Sequence, residues 1–169
     1  WTDPNNVIVW TQNIEQALSR LDARNAGHYR ANAEAYRAKL QELDAWVREQ
    51  VAQIPEASRQ LVTDHAVLGY LADRYGLQQV GVVFPGFSTL AEPSAQDLAA
   101  LEDAIRKHEV RAVFVGTTIN PALAQRLTAD TGTRLVSLYT GSLSAPGGDA
   151  PTYLDYVRHN VSAIVQALK

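Results

Sequence analysis

The sequence predicts an α/β fold in which a four-stranded parallel sheet is flanked by helices and connected to one long helix. Four short apolar runs, centred near Leu61, Val80, Val113 and Val136, alternate with segments of helical periodicity. Strands that alternate with helices form parallel sheets covered on both faces, with right-handed crossovers. A third observation is the helical pattern from Arg24 to about Gln53, which is longer than a compact domain of this size needs.

The composition favours one compact unit without cysteine chemistry. The chain has 169 residues, 46% of them hydrophobic, which is enough for one well-buried core and too few for two large domains. We expect residues 1–54 to form an amino-terminal helix and the long helix, and residues 55–169 to form the α/β part, together making one unit. Because cysteine is absent, any metal site must use nitrogen and oxygen ligands.

Charge and hydropathy exclude some classes of partner. The formal net charge is -3, and the basic residues are scattered among acids, which argues against a nucleic-acid partner. No apolar run reaches the length of a membrane span, and no signal peptide is recognisable. On these features an exported mature segment and a cytosolic protein look the same.

Start and stop signals place the helices. A helix follows Asp3-Pro4, and Pro55 ends the long helix. Ser94 and Asp97 predict a capping box, and a last helix runs to the end of the chain. The first helix is predicted to be amphipathic because its apolar residues share one face: Val7, Trp10, Ile14, Leu18 and Leu21.

His65 is the candidate functional residue, because it lies where the first strand ends. Leu61 and Val62 predict the end of a buried strand, and a helical pattern follows at once and stops at Gly76. Ligands of parallel α/β proteins collect at the carboxyl ends of strands, so a coordinating or catalytic side chain is expected there. A single histidine in this place is more often a polar group at a helix N-terminus, so position alone leaves both interpretations open.

Two other histidines are weaker candidates for a functional residue, and the common enzyme motifs are absent from the sequence. His28 is predicted to be solvent-exposed, and His108 is predicted to lie near a helix end where the helix dipole favours a cation. The sequence contains no GxGxxG, P-loop, GxSxG or HExxH motif. Asp64 with His65 could supply acid–base chemistry, but adjacent residues on a turn usually point apart, and no nucleophile accompanies them.

Several stretches resemble one protein family, in the family's order. Residues 61–76, LVTDHAVLGYLADRYG, resemble the TSHxAFxYxxxxYGL stretch of the zinc and manganese substrate-binding proteins of bacterial ABC importers. The remaining matches are TDPNN at 2–6, NAGHYRANAEAYRAKLQELD at 25–44, FSTLAEPSAQDL at 87–98 and APTYLDYVRHN at 150–160. Such a series of matches is far more specific than a single short motif.

The resemblance implies a metal site to which His65 contributes a ligand. Trp1 matches the tryptophan of the family's HxWxDP opening, so two further ligands and the first lobe would precede it. The family's aspartate ligand lies in a stretch resembling YTDSL, where this chain has Gly141. A second departure is Gly116, where many relatives read FVE.

Two carboxylates are auxiliary candidates in place of the lost aspartate. Glu92 lies in the AEPS stretch, whose acidic residue is near the mouth of the family's site. The other interpretation is a carboxylate favoured by the N-terminus of the following helix. Asp149 lies on the SAPGGDAP loop and is the weaker substitute. Water could also complete the site.

The function implied by the resemblance is metal transport, with cell adhesion as an associated role. The chain would be the carboxy-terminal lobe and spine helix of an extracytoplasmic receptor, periplasmic or lipid-anchored, that passes zinc or manganese to a membrane permease. With His65 as the only matched ligand, no metal would be tightly bound to this chain alone. The alternative is a small α/β enzyme, or a related binding module that has lost metal binding. The sequence leaves the choice of metal open.

Overall fold

A computed structural model describes residues 1–84 and 93–169. The helices are α1 (Pro4–Leu21), α2 (Ala26–Val51), α3 (Gly69–Tyr75), α4 (Ala95–Lys107), α5 (Ala122–Thr131) and α6 (Tyr153–Leu168). The strands are β1 (Gln60–Thr63), β2 (Gln78–Val82), β3 (Ala112–Gly116) and β4 (Arg134–Leu138). In the described part of the chain, no helix has both the length and the apolar composition needed to cross a membrane.

The four strands form one parallel sheet in the order β2-β1-β3-β4. Val62 pairs with Val113, and Val113 pairs with Leu135, so the middle of the sheet consists of apolar residues in register. Each predicted strand centre lies within a strand, and the predicted α/β class is confirmed.

Alternate residues of the central strands fill two separate apolar layers. Leu61 and Phe114 belong to the layer that α2, α3 and α6 cover. Val62 and Val113 belong to the layer that α4 and α5 cover. Successive side chains of a strand point to opposite faces, so each strand contributes to both layers, and its run of apolar residues is continuous.

The long helix is continuous, as predicted. A short 3-10 turn, Ala23–Asn25, precedes α2, and the 26 residues of α2 then run without a break. At a rise of about 1.5 Å per residue the helix is about 39 Å long. Its carboxyl half packs into the core through Leu40, Leu43, Val47 and Val51.

The apolar stripe of α1 faces solvent in the described residues. Helix α1 begins at Pro4, with Asp3 as its N-cap, and packs on α2 through its other face. The exposed fractions are 46% for Trp10, 59% for Ile14 and 85% for Leu21. The predicted helix is therefore present, but its apolar residues are not part of this core.

Asp44 connects three helices by hydrogen bonds. Its carboxylate accepts from the Asn5 amide (2.8 Å) at the start of α1, and from the Arg74 guanidinium (3.1 and 3.2 Å) and the Tyr75 hydroxyl (2.8 Å) in α3. Burial acts to raise the pKa of Asp44, but the hydrogen bonds outweigh it, and the pKa lies below its ordinary value. Burial and the bond to Asp44 raise the pKa of Tyr75.

Two predicted helix ends, the start of α4 and the end of α3, are confirmed. Ser94 and Asp97 form the reciprocal bonds of a capping box at the start of α4. Gly76 ends α3 in the left-handed conformation, with φ of 73°.

His28 is exposed, and His108 is exposed at the carboxyl end of α4.

Candidate metal-binding site

The strand order places a reversal of direction between β1 and β3. From β1 the chain moves outward to β2, then returns across β1 to β3 and β4. In open parallel sheets, ligands bind in the crevice at the carboxyl ends of the two strands that flank such a reversal. His65 follows β1 and Gly116 ends β3, so both lie at this edge.

His65 is partly exposed, and its main chain is held in place. Its carbonyl oxygen accepts hydrogen bonds from the Thr63 hydroxyl (2.7 Å) and the Val67 N–H (2.8 Å). The imidazole stacks on the Phe84 ring, with 5.2 Å between the ring centroids. The two rings line a depression of about 240 Å³ together with Thr118, Ile119 and Asn120.

The helix after His65 begins later than the sequence predicts. A turn occupies residues 65–68, and α3 starts at Gly69. The expectation of a helix directly after His65 was wrong, because the main-chain groups of this residue bond to Asp64, Thr63 and Val67 instead of starting a helix. His65 therefore lies on a strand-to-helix turn, four residues before the helix.

Asp64 is a site residue whose role sequence reasoning missed. Its side chain is buried, with 2% of the residue exposed. One carboxylate oxygen accepts the His65 N–H and the other accepts the Gly116 N–H, each at 2.7 Å. The carboxylate thus bridges the ends of β1 and β3, whereas His65 is partly exposed, so the two side chains do point apart. The only sequence signal for this role is that Asp64 directly precedes a histidine at the end of a strand.

The two glycines at the edge differ in what surrounds them. A Cβ atom at Gly141 would lie 3.2 Å from the Thr118 hydroxyl oxygen, which lines the His65 depression. A longer side chain at position 141 would therefore start toward that depression. A Cβ atom at Gly116 would overlap the Thr140 hydroxyl oxygen, so a side chain there requires Thr140 to move.

Of the two auxiliary carboxylates, the structure describes Asp149 alone, and it does not line the depression at His65. Glu92 lies outside the described residues. Asp149 lines a different depression with His159, which the sequence analysis did not consider, and that depression shares no lining residue with the one at His65. Within residues 1–84 and 93–169, no group of three or more His, Asp and Glu side chains could hold a metal ion.

An apolar cavity lies beside the Gly141 loop. It measures about 420 Å³, and its walls include Trp1, Tyr153 and Tyr156 as well as Gly141. The Trp1 indole N–H donates to the Tyr156 hydroxyl (3.1 Å), and the Tyr153 hydroxyl donates to the Trp1 carbonyl (2.8 Å). Burial raises the pKa of both tyrosines above its ordinary value. Trp1 is thereby fixed next to the sheet edge.

Comparison with known proteins agrees with this arrangement. The chain matches the family model described as zinc-uptake complex component A, periplasmic, over residues 1–167. It is 32% identical over 169 residues to the manganese-binding lipoprotein MntA of Halalkalibacterium halodurans, covering 99% of this chain and 56% of that protein. It is 27% identical over 170 residues to the metal ABC transporter substrate-binding lipoprotein SloC of Streptococcus mutans, covering 99% and 55%.

A solved structure shares the fold. The Mn-bound periplasmic metal binding protein from Candidatus Liberibacter asiaticus superposes with a TM-score of 0.88 and 29% identity, over 100% of this chain and 62% of that one. The chain spans about half the length of the curated relatives it matches. The parallel sheet and the long helix are thus shared with a bacterial periplasmic metal-binding protein. The chain belongs to the periplasmic zinc-uptake family, the zinc and manganese substrate-binding proteins of ABC importers.

Proposed function

We propose that this chain is the carboxy-terminal lobe and spine helix of an extracytoplasmic solute-binding component of an ABC importer for zinc or manganese. The receptor would be periplasmic or lipid-anchored and would deliver the ion to a membrane permease. The observation that carries the proposal is the position of His65, partly exposed at the strand reversal of a chain that belongs to this family. The relatives MntA and SloC are named for manganese binding and for metal ABC transport.

The geometry around His65 suits a metal ligand. Both main-chain groups of this residue are hydrogen-bonded, which fixes the start of its side chain, and Phe84 restricts the ring on one face. A ligand held in this way loses little conformational entropy when an ion binds. Thr118 and Asn120 add oxygen atoms to the same depression.

Gly141 leaves one position of the coordination shell open. A side chain there would start toward the His65 depression, and glycine supplies no donor atom. Together with two ligands from a first lobe, His65 would give a site of three protein ligands. Zinc binds in this way when water takes the fourth position.

The exposed stripe of α1 supports the proposal that a first lobe packs against this chain. Trp10, Ile14 and Leu18 lie four residues apart, so they form one continuous apolar face. Large apolar faces rimmed by polar residues mark interaction surfaces. Trp1 lies beside the Gly141 loop, so residues preceding it in a longer receptor would begin at the site.

The proposed receptor role divides the chain into two parts. We propose that residues 1–54 act as the connection between lobes and residues 55–169 as the carboxy-terminal lobe. The two parts share a core, because Val47 and Val51 pack with Leu61 and Val157. MntA is named as a manganese-binding lipoprotein and SloC as a metal ABC transporter substrate-binding lipoprotein, and we propose binding rather than enzymatic activity for this chain.

A chimera tests the proposal. The part of MntA that precedes the matched region would be joined to this chain, and a chimera that unfolds in one transition would be titrated with zinc and manganese by calorimetry. We expect micromolar or tighter binding, and at least a 100-fold loss in the His65→Ala variant, because one of few ligands is removed. His28→Ala is the matched control, since His28 is exposed on α2.

Two results would contradict the proposal. A folded chimera that binds neither ion, although intact MntA does, would favour the module that has lost metal binding. Equal affinities of the chimera and its His65→Ala variant would show that the imidazole is not a ligand.

A further inference from the structure

We propose that Asp64, Gly116 and Thr140 form a strand-end lock that fixes His65 relative to the Gly141 loop. Asp64 is then a positioning residue for the ion, acting through His65 and through the end of β3. The inference rests on the proposed function in one respect, that the ion binds at His65. The lock itself is a feature of the main chain and can be tested without metal.

The first contact of the lock joins β1 to β3. The Asp64 carboxylate is buried and accepts one main-chain N–H from each strand end, that of His65 and that of Gly116, both at 2.7 Å. Charge-assisted hydrogen bonds are short and strongly directional. A displacement of the β3 end therefore changes the position of the carboxylate, and with it the main chain of His65.

The second contact joins β3 to β4. The Thr140 hydroxyl oxygen fills the space that a Cβ atom at Gly116 would need. The Thr117 N–H donates to the Leu138 carbonyl (2.9 Å), so the two chain segments remain paired up to this point. Because Thr140 directly precedes Gly141, a shift of Thr140 moves the loop that borders the His65 depression.

A side contact extends the lock to β2. The Gln79 amide donates to the Thr63 hydroxyl at 2.6 Å, and the same hydroxyl donates to the His65 carbonyl at 2.7 Å. Both main-chain groups of His65 are thus tied to neighbouring strands. Ligand positions must be held to about 0.5 Å for a metal site to keep its affinity.

The lock predicts that a methyl group at position 116 weakens metal binding without touching the ion. In Gly116→Ala the new methyl group collides with the Thr140 hydroxyl and lies 3.2 Å from an Asp64 carboxylate oxygen. Removing the hydroxyl in Thr140→Ala makes room for the methyl group. The double variant should therefore recover most of what the single variant loses.

The experiment is a double-mutant cycle with two readouts. Zinc affinities would be measured by calorimetry on the MntA chimera carrying the wild-type sequence, Gly116→Ala, Thr140→Ala or both changes. Main-chain signals of the same variants of the isotope-labelled 169-residue chain would be recorded by NMR without zinc. We expect about tenfold weaker binding in Gly116→Ala, the size typical of changes around metal ligands. We expect Thr140→Ala, and the double variant, to bind within about threefold of wild type.

A stability control separates positioning from general destabilisation. Leu168→Ala removes buried methyl groups at the end of α6 and lowers stability. The Leu168 carbonyl accepts from Arg111, which precedes β3, so this residue lies at the opposite end of the strands from the lock. This variant should bind zinc like wild type even when its melting temperature is as low as that of Gly116→Ala. Without zinc, Gly116→Ala should shift the main-chain signals of His65 and Gly141, and the double variant should return them.

The outcomes distinguish the lock from the function on which it rests. Unchanged His65 and Gly141 signals in metal-free Gly116→Ala, or failure of Thr140→Ala to restore them, would overturn the lock. No zinc binding by the wild-type chimera would overturn the proposed function, while the metal-free spectra would still decide the lock. Weakened zinc binding in Leu168→Ala equal to that in Gly116→Ala would also overturn the positioning role.

Discussion

Replacing Asp44 by alanine is expected to loosen the connection between the long helix and the helix that follows the His65 turn. Asp44 lies in the carboxyl half of α2, and its carboxylate accepts hydrogen bonds from Asn5, Arg74 and Tyr75. Tyr75 is 7% exposed, so water cannot readily replace Asp44 as the partner of its hydroxyl. Among the described residues, Asp44 is the only side chain of α2 that forms hydrogen bonds to both α1 and α3, and the change removes it.

The magnitude follows from the exposure of each partner. The Tyr75 hydroxyl loses its acceptor in a buried position, which costs about 1–2 kcal/mol. The Arg74 guanidinium is about one-third exposed and the Asp44 side chain is 16% exposed, so solvent compensates much of that ion pair. Its loss adds about 1 kcal/mol. The total of about 2–3 kcal/mol corresponds to a melting temperature lower by about 5–10 °C for a chain of this size.

Thermal unfolding at pH 7, followed by circular dichroism, measures the effect. Asp103→Ala is the matched control, because its carboxylate is 84% exposed and lies 3.8 Å from its arginine partner on α4. We expect the control to melt within about 1 °C of wild type. If Asp44→Ala also melted within about 1 °C of wild type, the three-helix connection would contribute nothing to stability, and the reasoning would be refuted.

Three further predictions concern acid, a helix end and metal. The folded-state pKa of Asp44 is depressed, so its contribution to stability is present above the unfolded pKa of about 3.9 and is lost as the pH falls through the lower folded value. The difference in melting temperature between wild type and Asp44→Ala should therefore shrink below about pH 4. A constant difference down to about pH 2 would refute the shift. Gly76→Ala should lower the free energy of unfolding in urea by about 1 kcal/mol, because φ is 73° at this position. The nearest atom to an added Cβ is 3.8 Å away, so the cost is conformational and not steric. An unchanged urea midpoint would contradict this. The chain alone should melt at the same temperature with a chelator as with micromolar zinc, since His65 alone cannot hold the ion tightly. A rise of several degrees with zinc, without dimer formation, would instead reveal a complete site.

Much of the fold could be predicted because its signals are local. The four strands are short apolar runs, and α2 has apolar residues spaced by three and four over 26 residues. Gly76 and the Ser94–Asp97 box announce helix ends by their residue types. Periodicity and end signals therefore located the elements and their parallel arrangement.

The remaining features depend on contacts between distant residues. The hydrogen bonds Asp64–Gly116 and Asp44–Arg74 join positions 52 and 30 residues apart, and no spacing rule links such pairs. The exposed stripe of α1 could not be foreseen either, because periodicity shows that a face is apolar but not what it packs against. His65 was found because it closely follows a predicted strand, which is a local signal.

The central claim, that His65 is the metal ligand of this chain, is tested most directly by a zinc titration of the MntA chimera in which this chain is isotope-labelled, so that its four histidines are observed at once. Their ring signals in a labelled sample report binding at His28, His65, His108 and His159 in one experiment. The claim predicts that the His65 ring shifts at a clearly lower zinc concentration than the other rings, and that the His65→Ala variant abolishes this first phase. Equal shifts of all four rings, or a shift of the His159 ring beside Asp149 at lower zinc than that of His65, would contradict the claim.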